Sequence, residues 1–216
     1  MNFISATFRI LAKKTKIMAA TPSNMLPLGT KAPDFKLYDT VSGKYLTYND
    51  IKGKKGTVVM FICNHCPYVL HVNNQIVSIA NDYQKKGIGF VAISSNDVEN
   101  YPQDAPELMT GQAKKVGYTF PYLYDETQEV AEAYQAACTP DFYVFDTDDK
   151  LVYRGRMDES TPKNNLPNDG RDLRKALDYL LEGKMIPDED QKPSIGCNIK
   201  WKKPPQIDLH KVNIKV

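Results

Sequence analysis

The chain reads as one α/β domain with a central mixed β-sheet and flanking helices, and three features predict it. Residues 57–62 form an almost uninterrupted apolar run of strand length, the pattern of a strand buried on both faces. From Pro67 onward, Val69, Val72, Ile76, Ile79 and Tyr83 recur at intervals of three and four, which is the core stripe of a helix. Residues 88–93 are a second apolar run. Strand, helix and strand in that order make a parallel pair with a right-handed crossover.

The remaining elements follow along the chain. Two short strands over 36–38 and 44–47 flank a turn at Ser42-Gly43, and 52–56 is a polar loop. A helix is predicted over 107–116 and a strand over 122–124. A further helix spans 128–137, with Thr127 or Asp125 placed to cap it. Residues 142–145 and 151–154 flank the polar turn 146–150 and predict a hairpin. Leu173, Leu177, Leu180 and Leu181 mark a last amphipathic helix that stops near Gly183. Three regions result: an N-terminal extension over 1–25, the domain over 26–186, and a proline- and charge-rich extended tail over 187–216. Ile195, Ile199 and Trp201 are that tail's candidate anchors.

Composition narrows the function. At 216 residues the chain is long enough for one substantial core. A net charge of +2 without a sustained basic patch gives no electrostatic footprint for nucleic acid or a membrane surface. The mean hydropathy of −0.47 and the lack of a long apolar run argue against a membrane span. The first twenty residues lack Asp and Glu and carry Arg9, Lys13, Lys14 and Lys16. The expected location is therefore cytoplasmic, with a mitochondrial or other organellar transit peptide as the alternative.

The four cysteines are Cys63, Cys66, Cys138 and Cys197, too few to staple a scaffold of this length. The run Cys63-Asn64-His65-Cys66-Pro67 lies between the first buried strand and the long helix. There amide donors and the helix dipole favour a thiolate, the species that attacks disulfides. Cys63 is expected to be the more exposed nucleophile and Cys66 the resolving thiol, with Pro67 in the first helical turn. A protonated His65 would stabilise a neighbouring thiolate. Thr139-Pro140, ahead of a strand, is a candidate cis-proline loop whose bare backbone edge would face an extended substrate. Cys138 is either a third redox thiol or a small buried hydrophobe. For Cys197 the residues give no assignment.

Residues 29–35 (GTKAPDF), 61–69 (FICNHCPYV), 138–146 (CTPDFYVFD) and 170–183 (GRDLRKALDYLLEG) together resemble the thioredoxin-fold superfamily. The resemblance is to its redoxin branch, the thiol-peroxidase and thiol-specific antioxidant group, and covers roughly 28–200. It implies a redox-active dithiol at Cys63 and Cys66 facing a cis-Pro loop at Thr139-Pro140. It also implies a role in cell redox homeostasis, no bound organic cofactor, and a thiol reductant or oxidant as partner. His65 takes the internal position that disulfide isomerases also fill with histidine. Two departures matter. Ile62 stands where tryptophan usually precedes the first cysteine, and the peroxidase pattern PxxxTxxC is absent, with Met60 or Cys63 at its threonine position.

The predicted activity is thus thiol–disulfide exchange on protein or small-molecule disulfides, with a thiol-dependent peroxidase as the alternative. A rival of another class is a soft-metal module using Cys63, His65, Cys66 and Cys138. No second CxxC or HxxxH pair supports a closed metal site, so no metal is assigned.

Overall fold

The structure, a computed structural model, describes residues 20–202. The expected transit peptide, most of the N-terminal extension and the last part of the tail, including His210, lie outside the described residues.

Strand β1 (Ala20–Pro22) is followed by β2 (Lys36–Asp39), β3 (Lys44–Thr47), α1 (Tyr48–Ile51) and β4 (Gly56–Phe61). Then come α2 (Pro67–Gln84), β5 (Ile88–Ser94), α3 (Pro106–Val116), β6 (Tyr122–Tyr124) and α4 (Glu129–Ala133). The chain continues through β7 (Cys138–Thr139), β8 (Asp141–Phe145), β9 (Leu151–Gly155), α5 (Arg171–Leu181) and β10 (Ile195–Asn198). Seven strands form the main sheet in the order β3-β2-β6-β5-β4-β8-β9. Its centre is parallel, β4 to β5 and β5 to β6, and the other pairs are antiparallel.

Strand β4 is buried on both faces, and its one polar side chain, Thr57, is buried and accepts from the Gly53 amide at 3.2 Å. Val58 and Met60 join one core with Val69, Val72 and Ile76 of α2, Met109 of α3 and Leu177 of α5. Val59 and Phe61, on the opposite face, join a second core with Ile51, Val130 and Tyr134. Alternation along a strand thus supplies both cores of a helix–sheet–helix sandwich.

One expectation is corrected. The helix expected over 128–137 is only Glu129–Ala133: Gln128 and Gln135 both have positive φ, which breaks the helix at each side. Its start is still tied down, since the Asp125 carboxylate accepts from the amide of Ala131 at 2.9 Å. The expected boundaries at 25 and 187 fall between elements, and residues beyond both of them pair in one sheet. Strand β10 lies between β1 and β7 in a separate three-stranded antiparallel sheet. Ser23 knits this sheet to the domain, donating to Asp141 at 2.6 Å while accepting from the Ser194 amide at 3.0 Å. Such short strands carry little periodic signal, which is why one reads as extension and the other as tail.

Candidate active site

The backbone leaves β4 with the Ile62 amide still bonded to Ile93, at 3.0 Å, and then turns across the end of the sheet. That turn is held by one carboxylate. Asp104 accepts from the amides of Asn64 and His65 through Oδ1, at 2.8 and 3.3 Å. Its Oδ2 accepts from Asn96 Nδ2 at 2.7 Å and lies 2.6 Å from His65 Nδ1. An ionised carboxylate only accepts, so Nδ1 carries the proton in that bond. Asn64 is tied in by Tyr122, whose hydroxyl donates to Oδ1 at 3.1 Å, and by its own bond to the Gln103 carbonyl. The His65 ring stacks on Tyr101 with centroids 5.8 Å apart.

Helix α2 begins at Pro67, so Cys66 is its N-cap residue and Cys63 lies in the loop ahead of it. The sequence led to the expectation of an exposed Cys63. In the structure both sulfurs are covered: Cys63 is 2% exposed and Cys66 fully buried. Two different groups of Thr139 meet them. Cys63 Sγ is 3.5 Å from Thr139 Oγ1, and Cys66 Sγ is 3.2 Å from the Thr139 carbonyl oxygen. The Thr139-Pro140 bond is cis.

The third sulfur at the site is Cys197, not Cys138. Cys197 Sγ is 2.6 Å from Cys66 Sγ. Cys138 turns its thiol toward the Pro140 carbonyl at 3.7 Å, and burial pushes its pKa up. It therefore behaves as a small buried hydrophobe. Strand β10 reaches this place because its residue 196 is glycine: a Cβ there would overlap the Thr139 carbonyl. Cys197 then pairs in register with Thr139. The backbone edge expected to be bare is thus occupied by the chain's own strand.

Among the three sulfurs the negative charge gathers on Cys66. Hydrogen bonds from Cys197 and then from Cys63 pull its pKa down, and these outweigh its desolvation. Cys63 moves up, first because its thiol is engaged by Cys66 and then by burial and the Asp104 charge. Cys197 moves up through the same engagement with Cys66, followed by burial.

Cys63, His65 and Asp104 have ligand-type atoms within 4.8 Å of one another, the trio of metal-ligand type found among the described residues. Of the expected set it keeps Cys63 and His65, lacks Cys66 and Cys138, and has Asp104 instead. Both oxygens of that carboxylate already accept two donors each, so the donor chemistry fits a hydrogen-bonded brace better than a metal cage. His71 sits elsewhere, with Nε2 3.1 Å from Ser160 Oγ. Asp104 had no local signal, since it lies 39 residues from His65 within a proline-flanked turn.

A family model for Redoxin matches residues 27–170. The chain belongs to the Redoxin family. A curated relative, the thiol-disulfide oxidoreductase ResA of Geobacillus thermodenitrificans, is 27% identical over 152 residues, covering 68% of this chain and 80% of that protein. Among solved structures, an uncharacterized conserved protein from Geobacillus kaustophilus is 58% identical with a TM-score of 0.85, covering 87% of this chain and 98% of that one. A hypothetical protein from Sinorhizobium meliloti is 43% identical with a TM-score of 0.82, covering 85% and 100%. A thioredoxin-family thiol:disulfide interchange protein from Chlorobium tepidum, at 19% identity and a TM-score of 0.55, shares the thioredoxin-like fold. Among the described residues of this Redoxin-family chain, no helix is long and apolar enough to cross a membrane.

Proposed function

We propose that this Redoxin-family protein is a thiol–disulfide oxidoreductase that cycles Cys63 and Cys66 between dithiol and disulfide. The observation that carries this reading is the shared contact with Thr139. One residue of the cis-proline loop touches both sulfurs, and the second cysteine is the N-cap residue of α2. The ResA relatives, named as thiol-disulfide oxidoreductases, support it.

Cys63 is the entry sulfur, and its thiolate attacks a substrate disulfide. The first substrate thiolate leaves, and Cys63 is joined to the other half in a mixed disulfide. Cys66 then attacks the Cys63 sulfur, the Cys63–Cys66 bond forms, and the second substrate thiolate leaves. The lowered pKa of Cys66 supplies a ready thiolate for that second step. His65 and Asp104 lie beside Cys63 as the groups that handle its proton. Beside Pro140 a recess of about 60 Å³, lined by Tyr68, Arg156, Glu159 and Ile195, offers room for part of a substrate. Partners are a protein or small-molecule disulfide and a thiol donor or acceptor that resets the pair, in the cytoplasm. Neither nucleic acid nor a membrane is involved.

A redox titration with thiol labelling, on wild type, Cys63→Ser and Cys66→Ser, tests this. The expected result is a two-electron Cys63–Cys66 couple in wild type that both variants lose. A wild type without that couple overturns the reading. Hydrogen peroxide, added as a parallel challenge, separates exchange from peroxidase chemistry.

A further inference from the structure

We propose that Cys197 is a third redox thiol, and that oxidised protein can hold its disulfide between Cys66 and Cys197 as well as between Cys63 and Cys66. This rests on the exchange reading for its source of oxidising equivalents, though not for its geometry.

Three observations carry it. The Cys66 and Cys197 sulfurs are 2.6 Å apart and both buried, so water does not separate them. The placement is enforced: β10 is clasped by β1 on one side and β7 on the other. Gly196 lets it approach the Thr139 carbonyl. Finally, the contact is to the resolving cysteine, the sulfur that any disulfide formed at Cys63 reaches next. Strand β10 therefore lies along the Thr139 backbone and presents a sulfur to the dithiol, as a bound disulfide-bearing peptide would.

The step balances within the chain. The Cys197 thiolate attacks Cys66 Sγ in the Cys63–Cys66 disulfide. The Cys66–Cys197 bond forms as the Cys63–Cys66 bond breaks, and Cys63 leaves as the thiolate and takes up the proton that Cys197 gave up. The oxidation level is unchanged, and no further oxidant is needed. Cys63 is returned to the reduced state while the protein as a whole stays oxidised. The entry sulfur can then attack a second disulfide, or wait as a free thiol.

The test equilibrates the full chain in glutathione redox buffers, quenches with acid, alkylates, digests and maps linked peptides by mass spectrometry. Wild type, Cys63→Ser and Cys197→Ala are compared, with Cys197→Ser as a second variant should the alanine fold poorly. Wild type is expected to give Cys66–Cys197 and Cys63–Cys66 peptides together, and Cys63→Ser the Cys66–Cys197 peptide alone. In Cys197→Ala the midpoint shifts toward the reduced form by one plus the ratio of those two species, about twofold at equal populations. Cys197 alkylated in full in every oxidised sample, Cys63→Ser included, overturns the proposal. A Cys66–Cys197 link in Cys63→Ser, with no Cys63–Cys66 link in wild type, supports the third thiol while sinking the exchange reading.

Discussion

His65 and Asp104 meet at 2.6 Å across 39 residues of sequence, and the carboxylate that closes this contact is fully buried. It accepts four donors, three of them from the Cys63–Cys66 turn and one from Asn96. Replacing it with an amide keeps the shape but turns one acceptor into a donor that faces other donors. Asp104→Asn is expected to lower stability by about 2 kcal/mol, read as a shift in the urea midpoint. Exchange with a small test disulfide should slow as well, because the loop carrying Cys63 loses its brace. Unchanged stability would show that the turn is held from elsewhere.

The two cysteines should fail differently. Cys66→Ser is expected to accumulate a mixed disulfide on Cys63, visible as an adduct by intact mass, because the resolving sulfur is gone. Cys63→Ser should form no such adduct at the same substrate concentration. Adduct on Cys63→Ser with none on Cys66→Ser would place the entry sulfur at Cys66.

Charge on Cys66 gives a pH signature. Its folded-state pKa is lowered, so the unfolded chain binds the proton more readily below the usual thiol value of about 8.5. The stability this contributes to the reduced protein is present above that value and is lost as pH falls through the folded value. Thiolate absorbance near 240 nm should persist in reduced wild type well below the ordinary thiol range, and Cys66→Ser should abolish that low-pH band.

Asp141 carries the opposite sign. Burial raises its pKa to about 7, only partly offset by bonds from Ser23 and Tyr143. The folded chain then holds a proton that the unfolded chain releases near pH 4, so stability falls as pH rises between about 4 and 7. Asp141→Asn is expected to flatten that slope, a difference on the order of 1–4 kcal/mol across the window. Thermal unfolding at pH 4.5 and pH 8 measures it, and an equal pH slope in both proteins would refute it.

Gly196→Ala should open the β7–β10 contact. The added methyl meets backbone, which cannot yield as a flexible side chain would. A cost of about 1–3 kcal/mol is expected, together with faster alkylation of Cys66 and Cys197 by iodoacetamide. Wild-type labelling rates would show that the strand accommodates the methyl.

The central strands, α2 and the dithiol were legible because their signals are local: periodicity, apolar runs and a three-residue cysteine spacing. The hairpin of β8 and β9 was readable for the same reason. Asp104, Tyr101 and Cys197 were not, since each reaches the dithiol through tertiary folding with no periodic pattern around it. Of the two readings open for Cys138, its direction favours the buried hydrophobe. Neighbourhood to Pro140 in sequence put it near the site, but its side chain points away from the pair and Cys197 takes its place. The burial of the two sulfurs depends on tertiary contacts, Thr139 against Cys63 and Thr139 with Cys197 against Cys66, which no local pattern records.

Strand β10 has a further consequence for how the molecule behaves in a crowded solution. A strand pair left open offers its amides and carbonyls to any other chain with a free strand. By lying between β1 and β7, β10 keeps the segment around Cys138 and Thr139 from serving as such a template. Cys197 of β10 and Ile199 just after it stay buried in the same act. Removing residues 187–202 would therefore leave more than a shorter chain. It would uncover a sticky seam beside reactive thiols, and self-association through strand exchange or intermolecular disulfides would follow.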